Sequence, residues 1–467
     1  MKNYQRIHIW DLPKEEFTLK LKDDYLKELI KLAKNRLGNY RKLVITLREK
    51  CESFRKNTLE SAEFRLNKCT KKEYFLPLSC LFEICEILNL DLEDVEKKVE
   101  FLAVKYVKNP LKINFPIIFN EDFVIVSEII RAEGHLWKNF RKIELANNDI
   151  RILNQFTNSL KNMGINRVKY SLYTKITIPY NINREDIKLI DINNTGIIKN
   201  FSIRNKKLSN GTKKQLHLYD YDVHIGTVKK YKIITPNGNI ICKIKIPENG
   251  KIKRNSNYFT EYKSNITSAL KVIVGNIVLG KLLHFVCRVP IGKKSDKVYL
   301  PDILTRSPKS VIKKGFEVTF NCEGNVSKHA LSIKSIGREY LEDWKKVLKE
   351  IFDIDSSIIQ RGIKLNITHK ENFRKLLNEF NFLPEERKKI EKMAEGRTIL
   401  HPNTSDNFYL GKIKEQGKIT SRKLAQITGR TQACTKRVLS DLFKRGLLKR
   451  EEVWRQGDIK RYCYSLP

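Results

Sequence analysis

The same pattern of apolar residues follows two Glu-Gly dipeptides, Glu133-Gly134 and Glu323-Gly324, that lie 190 positions apart. In the first copy the pattern stands 10, 12, 20, 23 and 27 positions after the glutamate, at Ile143, Leu145, Leu153, Phe156 and Leu160. In the second copy it stands 8, 10, 18, 21 and 25 positions after the glutamate, at Leu331, Ile333, Leu341, Trp344 and Leu348. The first two positions alternate like a half-buried strand, and the last three step like one face of a helix. The sequence therefore predicts an internal duplication in which each copy is a helix, a turn, a strand pair and a helix.

The charge of the chain favours a polyanionic partner. Its 467 residues include 91 Lys plus Arg against 53 Asp plus Glu, which gives a net charge of +38. A hydrophobic fraction of 41% is enough to build cores, which excludes a disordered basic tail. Because the release of counterions from a phosphate backbone favours binding by such a basic chain, nucleic acid is the expected partner. The length of the chain predicts about three domains.

Membrane insertion and secretion are not expected. The longest apolar candidate, Ala269 to Val286, is interrupted by Lys271 and Lys281, and a bilayer span needs about 20 uncharged residues. The N-terminus has no apolar stretch of the secretory type, and the nine cysteines are scattered without a CxxC pair. These features predict a soluble protein in the reducing cytoplasm.

Changes in composition predict five segments. The expected order is a helical domain over 1–114, the first copy of the repeat over 115–180, a basic strand-rich insertion over 181–265, the second copy over 266–396, and a basic domain over 397–467. Within the first segment, two short amphipathic stretches flank Asn89 to Asp94 and resemble a helix-turn-helix, with an ordinary helical bundle as the alternative. Within the insertion, Val228 to Thr235 and Asn239 to Ile246 alternate across Pro236-Asn237-Gly238, which predicts a hairpin.

The last 58 residues, Leu410 to Pro467, hold 15 basic and 5 acidic residues, a net charge of +10. A short helix, a turn, a longer helix and a strand ribbon are predicted there, the order of a winged helix-turn-helix. The N-terminal part of the longer helix would contact DNA, with protein contact as the alternative. The expected DNA contacts are Thr431, Gln432, Thr435, Lys436 and Arg437.

Residues Val126 to Leu136, VSEIIRAEGHL, resemble the first signature helix of the LAGLIDADG homing endonucleases, and Val289 to Ser327 is similar to the segment leading into the second. The resemblance covers about residues 115 to 390 apart from the insertion. It implies an α+β fold: a duplicated αββαββα saddle, flanked here by an N-terminal helical domain and a C-terminal winged helix. Two signature helices would pack side by side across a pseudo-twofold axis within one monomeric chain.

The resemblance also implies an active site. Glu133 and Glu323, at the ends of the two helices, would bind Mg²⁺ or another divalent cation and act in cleavage, since carboxylates suit hard cations. Gly134 and Gly324 would end the helices in a backbone conformation that glycine tolerates best. Lys388 is the candidate to stabilise charge on the phosphate, with a solvated surface lysine as the alternative.

Strands of the saddle would face double-stranded DNA. They are expected at Lys138 to Leu145, Arg167 to Thr177, Lys328 to Lys334 and Gly362 to Thr368. Alternation directs one set of side chains outward, where they could contact phosphates or bases. The expected DNA contacts are Lys138, Arg141, Lys169, Lys175 and Lys328.

Two departures from the family pattern separate the functional hypotheses. Glu128 and Val318 stand where the family has small residues at the helix crossing, and Arg131 and Asn321 stand where Asp is frequent. The leading hypothesis is a site-specific DNA endonuclease that hydrolyses phosphodiesters with divalent metal. The alternative is a DNA-binding regulator that keeps the fold and does not cleave, and an RNA maturase is a third reading.

Overall fold

The computed structural model describes residues 4–22, 24–105, 110–179, 187–193, 203–207, 213–221, 223, 225, 229–234, 240–247, 250–255, 266–292, 298–327, 330–335, 337–359, 363–395, 402–428, 432–456 and 459–467. The chain divides into two compact units, Met1–Ala394 and Glu395–Pro467. Helices and mainly antiparallel sheets occur in both, so the predicted α+β class is confirmed. None of the helices in the described ranges combines the length and apolarity needed to cross a membrane.

The N-terminal region mixes helices with strands. Its elements are β1 (Gln5–Ile7), β2 (Thr18–Leu21), α1 (Tyr25–Leu37), α2 (Tyr40–Lys50), α3 (Glu52–Arg55), α4 (Leu59–Thr70), β3 (Leu76–Pro77), α5 (Leu78–Leu88), α6 (Leu92–Glu96), β4 (Val99–Ala103) and β5 (Leu111–Lys112). Side chains of Asn39, Thr58 and Asp91 cap α2, α4 and α6 by accepting backbone N–H groups.

The N-terminal segment, predicted as helical, also contains strands, because β3, β2, β4 and β5 form a four-stranded sheet in that order. The short strands carry too few residues for their alternation to stand out in sequence. The structure of residues 78–103 also differs from the predicted helix-turn-helix. After α5, the second helix is the five-residue α6, and strand β4 follows it.

The first half of the repeated region follows. Its elements are β6 (Ile117–Phe119), α7 (Glu121–Ala132), β7 (Gly134–Leu136), β8 (Ile143–Asn147), α8 (Ile150–Asn162), β9 (Val168–Pro179) and, after the insertion, β16 (Ile266–Val274) and α9 (Ile277–Phe285). Each helix begins at a capping side chain: Asn120, Asp149 and Asn276 accept backbone N–H groups of α7, α8 and α9.

The second half has the same order of elements. They are α10 (Asp302–Thr305), α11 (Lys309–Glu323), β17 (Gly324–Val326), β18 (Leu331–Lys334), α12 (Arg338–Phe352), β19 (Ser357–Ile359), β20 (Lys364–Ile367), α13 (Lys370–Glu379) and α14 (Pro384–Glu395). The sheet orders β7-β8-β16-β9 and β17-β18-β20-β19 correspond strand by strand. All ten apolar residues of the repeated pattern are fully buried, as the pattern predicts.

The boundary predicted at residue 266 is wrong. Strand β16, placed by sequence in the second copy, pairs with β8 and β9 of the first, with Leu270 opposite both Asn147 and Leu172. The insertion therefore lies within the second strand pair of the first half and does not separate the two halves. Local alternation identifies a strand but not its partner, so this pairing could not be predicted from the sequence.

In the parts of the insertion that the structure describes, six strands belong to two sheets. Strands β11 (Ile203–Lys207) and β12 (Lys213–Asp220) extend the first sheet through the β12–β9 pair. Strands β10 (Lys188–Asp191), β13 (Lys229–Ile234), β14 (Ile240–Ile246) and β15 (Lys253–Asn255) form a separate sheet in the order β10-β13-β14-β15. The predicted hairpin corresponds to β13 and β14, which pair antiparallel; its Asn-Gly turn lies outside the described residues.

The C-terminal unit is small and has its own core. Its elements are α15 (Pro402–Gln416), β21 (Ile419–Thr420), α16 (Ser421–Thr428), α17 (Gln432–Lys444), β22 (Lys449–Gln456) and β23 (Ile459–Ser465), with the sheet order β21-β23-β22. The core includes Tyr409, Leu424, Leu439 and Leu442. Helix α17, the longer predicted helix, ends at Lys444, and Leu447 just beyond it is exposed.

Candidate nucleic-acid interface and helix-end cleft

The two helices that precede the Glu-Gly dipeptides, α7 and α11, pack against each other. Gly315 of α11 meets Val124 of α7 at this crossing, where a Cβ atom on Gly315 would lie 3.3 Å from Val124 Cγ1. The small residue that permits the close approach thus lies three positions before Val318, and Val318 itself is buried.

Glu128 is the centre of a buried polar network at this crossing. Its carboxylate accepts a 3.0 Å hydrogen bond from Arg131 Nε within α7 and a 2.9 Å bond from the Tyr340 hydroxyl of α12. Thr319 Oγ1 of α11 lies 3.4 Å from the same carboxylate and 2.8 Å from the Tyr340 oxygen. The acid that departs from the family pattern is therefore fully hydrogen-bonded, and it connects side chains of both halves.

Arg131 extends this network to the segment that links the halves. Its guanidinium donates to the backbone carbonyls of Arg288 at 3.0 Å and Tyr299 at 3.2 Å, and also to that of Cys287. Burial opposes the charge on Arg131, but the Glu128 carboxylate raises its pKa. Burial, together with the negative charge of Glu128, raises the pKa of Tyr340 well above its usual range, so the hydroxyl remains a donor.

The glycines at the helix ends serve close packing. Gly324 has an extended backbone, with φ −79° and ψ 153°, and Gly134 has no positive φ, so the predicted glycine conformation is wrong. A Cβ atom on Gly134 would lie 2.7 Å from the Cα atom of Ile130, and one on Gly324 would overlap the carbonyl oxygen and ring of Phe320. Both positions therefore exclude a side chain because the preceding helical turn is too near.

A cleft of about 190 Å³, open to solvent, lies at these helix ends, and it is called the helix-end cleft below. It is lined by Glu133, Asn147, Asn148, Asp149, Ile152, Lys251, Phe320, Asn321, Cys322, Gly324, Leu383 and Glu386. Two of its buried oxygens, Asn321 Oδ1 and Glu386 Oε2, have no hydrogen-bond partner. The cleft thus presents oxygen atoms that are ready to accept a donor or a cation.

The predicted catalytic residues are distributed unevenly around this cleft. Glu133 is exposed and lines it. Glu323 is half-buried and is not among the lining residues, although its neighbours Cys322 and Gly324 are. Lys388 is exposed on α14 and does not line the cleft.

The cation that does line the cleft, Lys251, comes from the insertion. Its position is fixed by backbone bonds from Ile252 N to the Asn148 carbonyl, 2.9 Å, and from Ile150 N to the Gly250 carbonyl, 3.2 Å. Lys251 could not be predicted as a cleft residue, because a contact between segments about a hundred residues apart has no local sequence pattern. The basic character of the insertion was the available signal.

Asp149, which lines the cleft, belongs to an ion-pair network with Arg151 and Glu385, called the Arg151 network below. Arg151 donates to Asp149 through Nε at 3.0 Å and Nη2 at 2.6 Å, and to Glu385 through Nη1 at 2.9 Å. Although burial opposes the charge on Asp149, the hydrogen bonds from Arg151 lower its pKa. The Arg151 hydrogen bond likewise lowers the pKa of Glu385. Helix α8 is thereby tied to the start of α14.

Several residues that line the cleft carry oxygen donors, among them Glu133, Asn321 and Glu386. Oxygen donors suit Mg²⁺, which proteins commonly hold through one or two carboxylates together with water and phosphate oxygens. Within the described ranges, no group of three or more His, Cys, Asp or Glu residues lies close enough together to hold a metal ion. Glu133, Asn321 and Glu386 are the residues that would contribute, because Asp149 is already engaged by Arg151.

The six-stranded sheet β11-β12-β9-β16-β8-β7 has one face in the core and one polar face, called the open face below. On β9, Leu172 and Ile176 are buried, whereas Lys169, Tyr173 and Lys175 alternate to the other side. The register places His217 of β12 opposite Lys175, and Tyr219 opposite Tyr173. On β16, Lys271 belongs to the same face and forms a 2.8 Å ion pair with Glu144 of β8. Lys169 and Lys175, two of the predicted contacts, thus lie on one face.

The corresponding face of the second sheet is different. Across β17, β18, β20 and β19 the register aligns Asn325, Ser332, Asn366 and Ser357 in one row. Lys334 and Lys364 lie beside this row and pair with each other across the strands. This face is rich in amides and hydroxyls, and the predicted contact Lys328 lies outside the described residues.

Lys138 and Arg141 are exposed in the loop between β7 and β8, since β8 begins at Ile143 and not at Lys138. In the same loop the Lys142 ammonium lies 4.8 Å from the centre of the Trp137 ring. The loop therefore presents cations and an indole ring to solvent.

In the C-terminal unit, Gln432, Lys436 and Arg437 are exposed on the first half of α17. Thr435 is fully buried, so it is removed from the predicted DNA contacts, because it lies on the side of α17 that faces the core. Thr431 lies outside the described residues.

Comparisons with known proteins give weak structural similarity. No family model and no curated protein matches the chain. Full-length DUF199/WhiA from Thermatoga maritima aligns with a TM-score of 0.29 and 13% identity, over 70% of this chain and 92% of that one. The N-terminal LAGLIDADG domain of DUF199/WhiA aligns with a TM-score of 0.26 and 14% identity, over 58% of this chain and 87% of that one.

Proposed function

We propose that this chain is a sequence-specific binding protein for double-stranded DNA, built on a duplicated LAGLIDADG-type saddle. The observation that carries the proposal is the open face, where Lys169, Lys175 and Lys271 lie with polar and aromatic side chains on a sheet whose other face is core. Lysines placed in this way can neutralise phosphates, while the polar side chains between them can reach base edges.

The repeated topology supports the saddle. Both halves run helix, two strands, helix, two strands, helix, and both sheets have the same strand order. The contact between α7 and α11 joins the halves, as a pseudo-twofold arrangement requires. The predicted monomeric state follows from this proposal, because one chain then supplies both halves of the interface.

The two open faces differ in chemistry, and this supports an asymmetric target. The first sheet presents lysines and rings, and the corresponding face of the second sheet carries Asn325 and Asn366. Asn side chains can read adenine through paired hydrogen bonds, whereas lysine contacts guanine or phosphate. We therefore expect the two half-sites of the DNA to have unlike sequences.

The C-terminal unit would extend the footprint as a winged helix. Its order of helix, strand, two helices and two strands, with β21 paired to β23, supports this proposal. Gln432, Lys436 and Arg437 would face the DNA from α17. Deleting their contacts should weaken binding without changing the preference for the half-sites read by the saddle.

Duplex binding should first be selected from a randomised library and then measured as a function of salt concentration. Lys169→Gln with Lys175→Gln should lower the slope of log K against log salt by about 1.8, because each neutralised phosphate contributes about 0.9. The matched control is Lys346→Gln, which removes an exposed lysine from helix α12. An unchanged slope in the double variant, or an equal loss in the control, would contradict DNA binding by the open face.

Metal-dependent cleavage of the bound DNA is a second candidate function. The observation that favours it is the helix-end cleft, where Glu133 lies with two unpartnered oxygens, Asn321 Oδ1 and Glu386 Oε2. A bound divalent cation would supply an activated water and charge neutralisation at the phosphate. Lys251 would hold the phosphate, and Glu133, Asn321 and Glu386 would offer oxygen ligands from the cleft. Glu323, which does not line the cleft, is the second acid proposed from the sequence.

Cleavage of the selected duplex with Mg²⁺ tests this candidate. Glu133→Gln should abolish cleavage and leave duplex affinity within about threefold, because the substitution keeps the side-chain shape. Glu323→Gln separates the two-acid proposal from a site that uses Glu133 alone. Intact DNA in every sample, with tight binding, would leave the non-cleaving regulator as the function.

A further inference from the structure

Three tyrosines form a row along the open face. The rings of Tyr173 and Tyr219 lie 5.1 Å apart, and those of Tyr219 and Tyr221 are stacked at 6.0 Å with an interplanar angle of 13°. His217 meets Tyr173 edge-on at 5.5 Å, and its Nδ1 lies 3.0 Å from the Tyr173 hydroxyl. The row is thus ordered by ring contacts and a hydrogen bond.

The row is not part of the hydrophobic core. On β12 the core side is taken by Leu216 and Leu218, which are buried against β9. Tyr219 alternates to the other side and is half-buried, while Tyr221, just past the end of the strand, is 49% exposed. Aromatic rings on the solvent side of a sheet form an exposed apolar patch of the kind that marks a binding surface.

Lysine side chains lie beside the rings on neighbouring strands of the same face. The Lys271 ammonium is 5.7 Å from the centre of the Tyr219 ring, and Lys175 lies opposite His217. Lys169, six residues from Lys175 on the same strand, is exposed. The face therefore pairs aromatic surface with positive charge, the combination that binds a nucleic-acid strand whose bases are unpaired.

We propose that the tyrosine row is a stacking platform for unpaired bases of a single strand, with Lys169 and Lys175 on its phosphates. In a duplex the faces of the bases are covered by their neighbours, so only edges in the grooves can be reached. A ring can use its face only on a base that has left the stack. This inference deepens the proposed function, since it assigns to the same face a target that contains a single-stranded segment.

The test compares labelled oligonucleotides of about 12 nucleotides in three forms: single-stranded DNA, RNA of the same sequence, and the DNA duplex. Tyr221→Leu and Tyr219→Leu should weaken binding of the single strands about tenfold or more and change duplex binding less than twofold. Tyr219→Phe keeps the ring and should retain binding, whereas Tyr74→Leu removes an exposed tyrosine far along the chain as a control. The single-stranded form that binds more tightly identifies the source of the bases.

The outcomes separate this inference from the function on which it rests. Loss of duplex and single-strand binding in equal measure, or no loss in either tyrosine variant, overturns the stacking platform. If either of those outcomes is seen and Lys169→Gln with Lys175→Gln still lowers the salt dependence of duplex binding, the proposed DNA binding stands and only the platform fails. Tyr221 follows the end of its strand and is exposed, so its replacement tests stacking even if Tyr219→Leu does not fold.

Discussion

The hydroxyl of Tyr340 donates a 2.9 Å hydrogen bond to the carboxylate of Glu128, across 212 positions of sequence and between the two halves of the chain. Both side chains are buried, so the bond has no water to replace it. A buried carboxylate is stable only with donors around it, and Glu128 has them from Arg131, Tyr340 and Thr319. The joint between the halves is therefore polar at its centre.

Replacing Tyr340 with Phe should destabilise the protein by about 1–3 kcal/mol, because Glu128 would lose a donor and remain charged and buried. Urea unfolding measures the change. Tyr74→Phe, at an exposed position, should alter stability by less than about 0.5 kcal/mol. Equal stability of Tyr340→Phe and the wild type would mean that this hydrogen bond does not support the joint.

The ion pair of Glu128 and Arg131 should be strongly non-additive. Glu128→Leu or Arg131→Met alone should cost about 3–5 kcal/mol, because each leaves an uncompensated buried charge. The double variant should cost less than the sum of the two, since it removes both charges. A double-mutant cycle in urea gives the coupling, and additive single costs would contradict a buried pair.

The Arg151 network predicts that the stability of the folded protein depends on pH. The pKa of Asp149 is lowered in the folded state, so the stabilisation is complete above its ordinary value of 3.8 and is lost as the pH falls through the lower folded value. Arg151→Gln should therefore be less stable than the wild type at pH 7, and the difference should shrink below about pH 4. Arg374→Gln removes an exposed arginine whose partner is Glu371 and serves as the control. A difference that stays constant down to pH 2 would show that Asp149 is not the partner.

Gly324→Ala should destabilise the protein by about 1–3 kcal/mol, because the new Cβ would overlap Phe320 one turn earlier in α11. The matched control is Gly275→Ala, where a Cβ atom meets no heavy atom within 4 Å. Thermal unfolding of both variants compares the two sites. Similar melting temperatures would show that helix α11 yields at its end without cost.

The sequence predicted much of the repeated region because its signals are local. Leu341, Trp344 and Leu348 step along one face of α12, and that face is the one buried. Pairing was less accessible. Strand β16 alternates like any strand, and only the structure shows that it completes the first sheet.

The candidate functional residues differ in the same way: some could be predicted from local sequence and others depend on distant contacts. Lys169 and Lys175 were found because alternation within one strand assigns them to a face. Lys251 was missed, since its place beside Glu133 depends on backbone bonds to a distant turn. Thr435 was misplaced because a position near the start of a helix does not by itself tell which side faces the core.

The buried network also governs how pieces of this protein would reassemble. A chain cut between Arg288 and Tyr299 would yield one fragment with Glu128 and Arg131 and another with Thr319 and Tyr340. In a pair of first fragments Glu128 would keep Arg131 but would lack the hydroxyl donors of Thr319 and Tyr340, whereas the second fragment supplies both donors. The buried network therefore favours the pairing of unlike fragments, which suits a split protein whose halves combine only as a heterodimer.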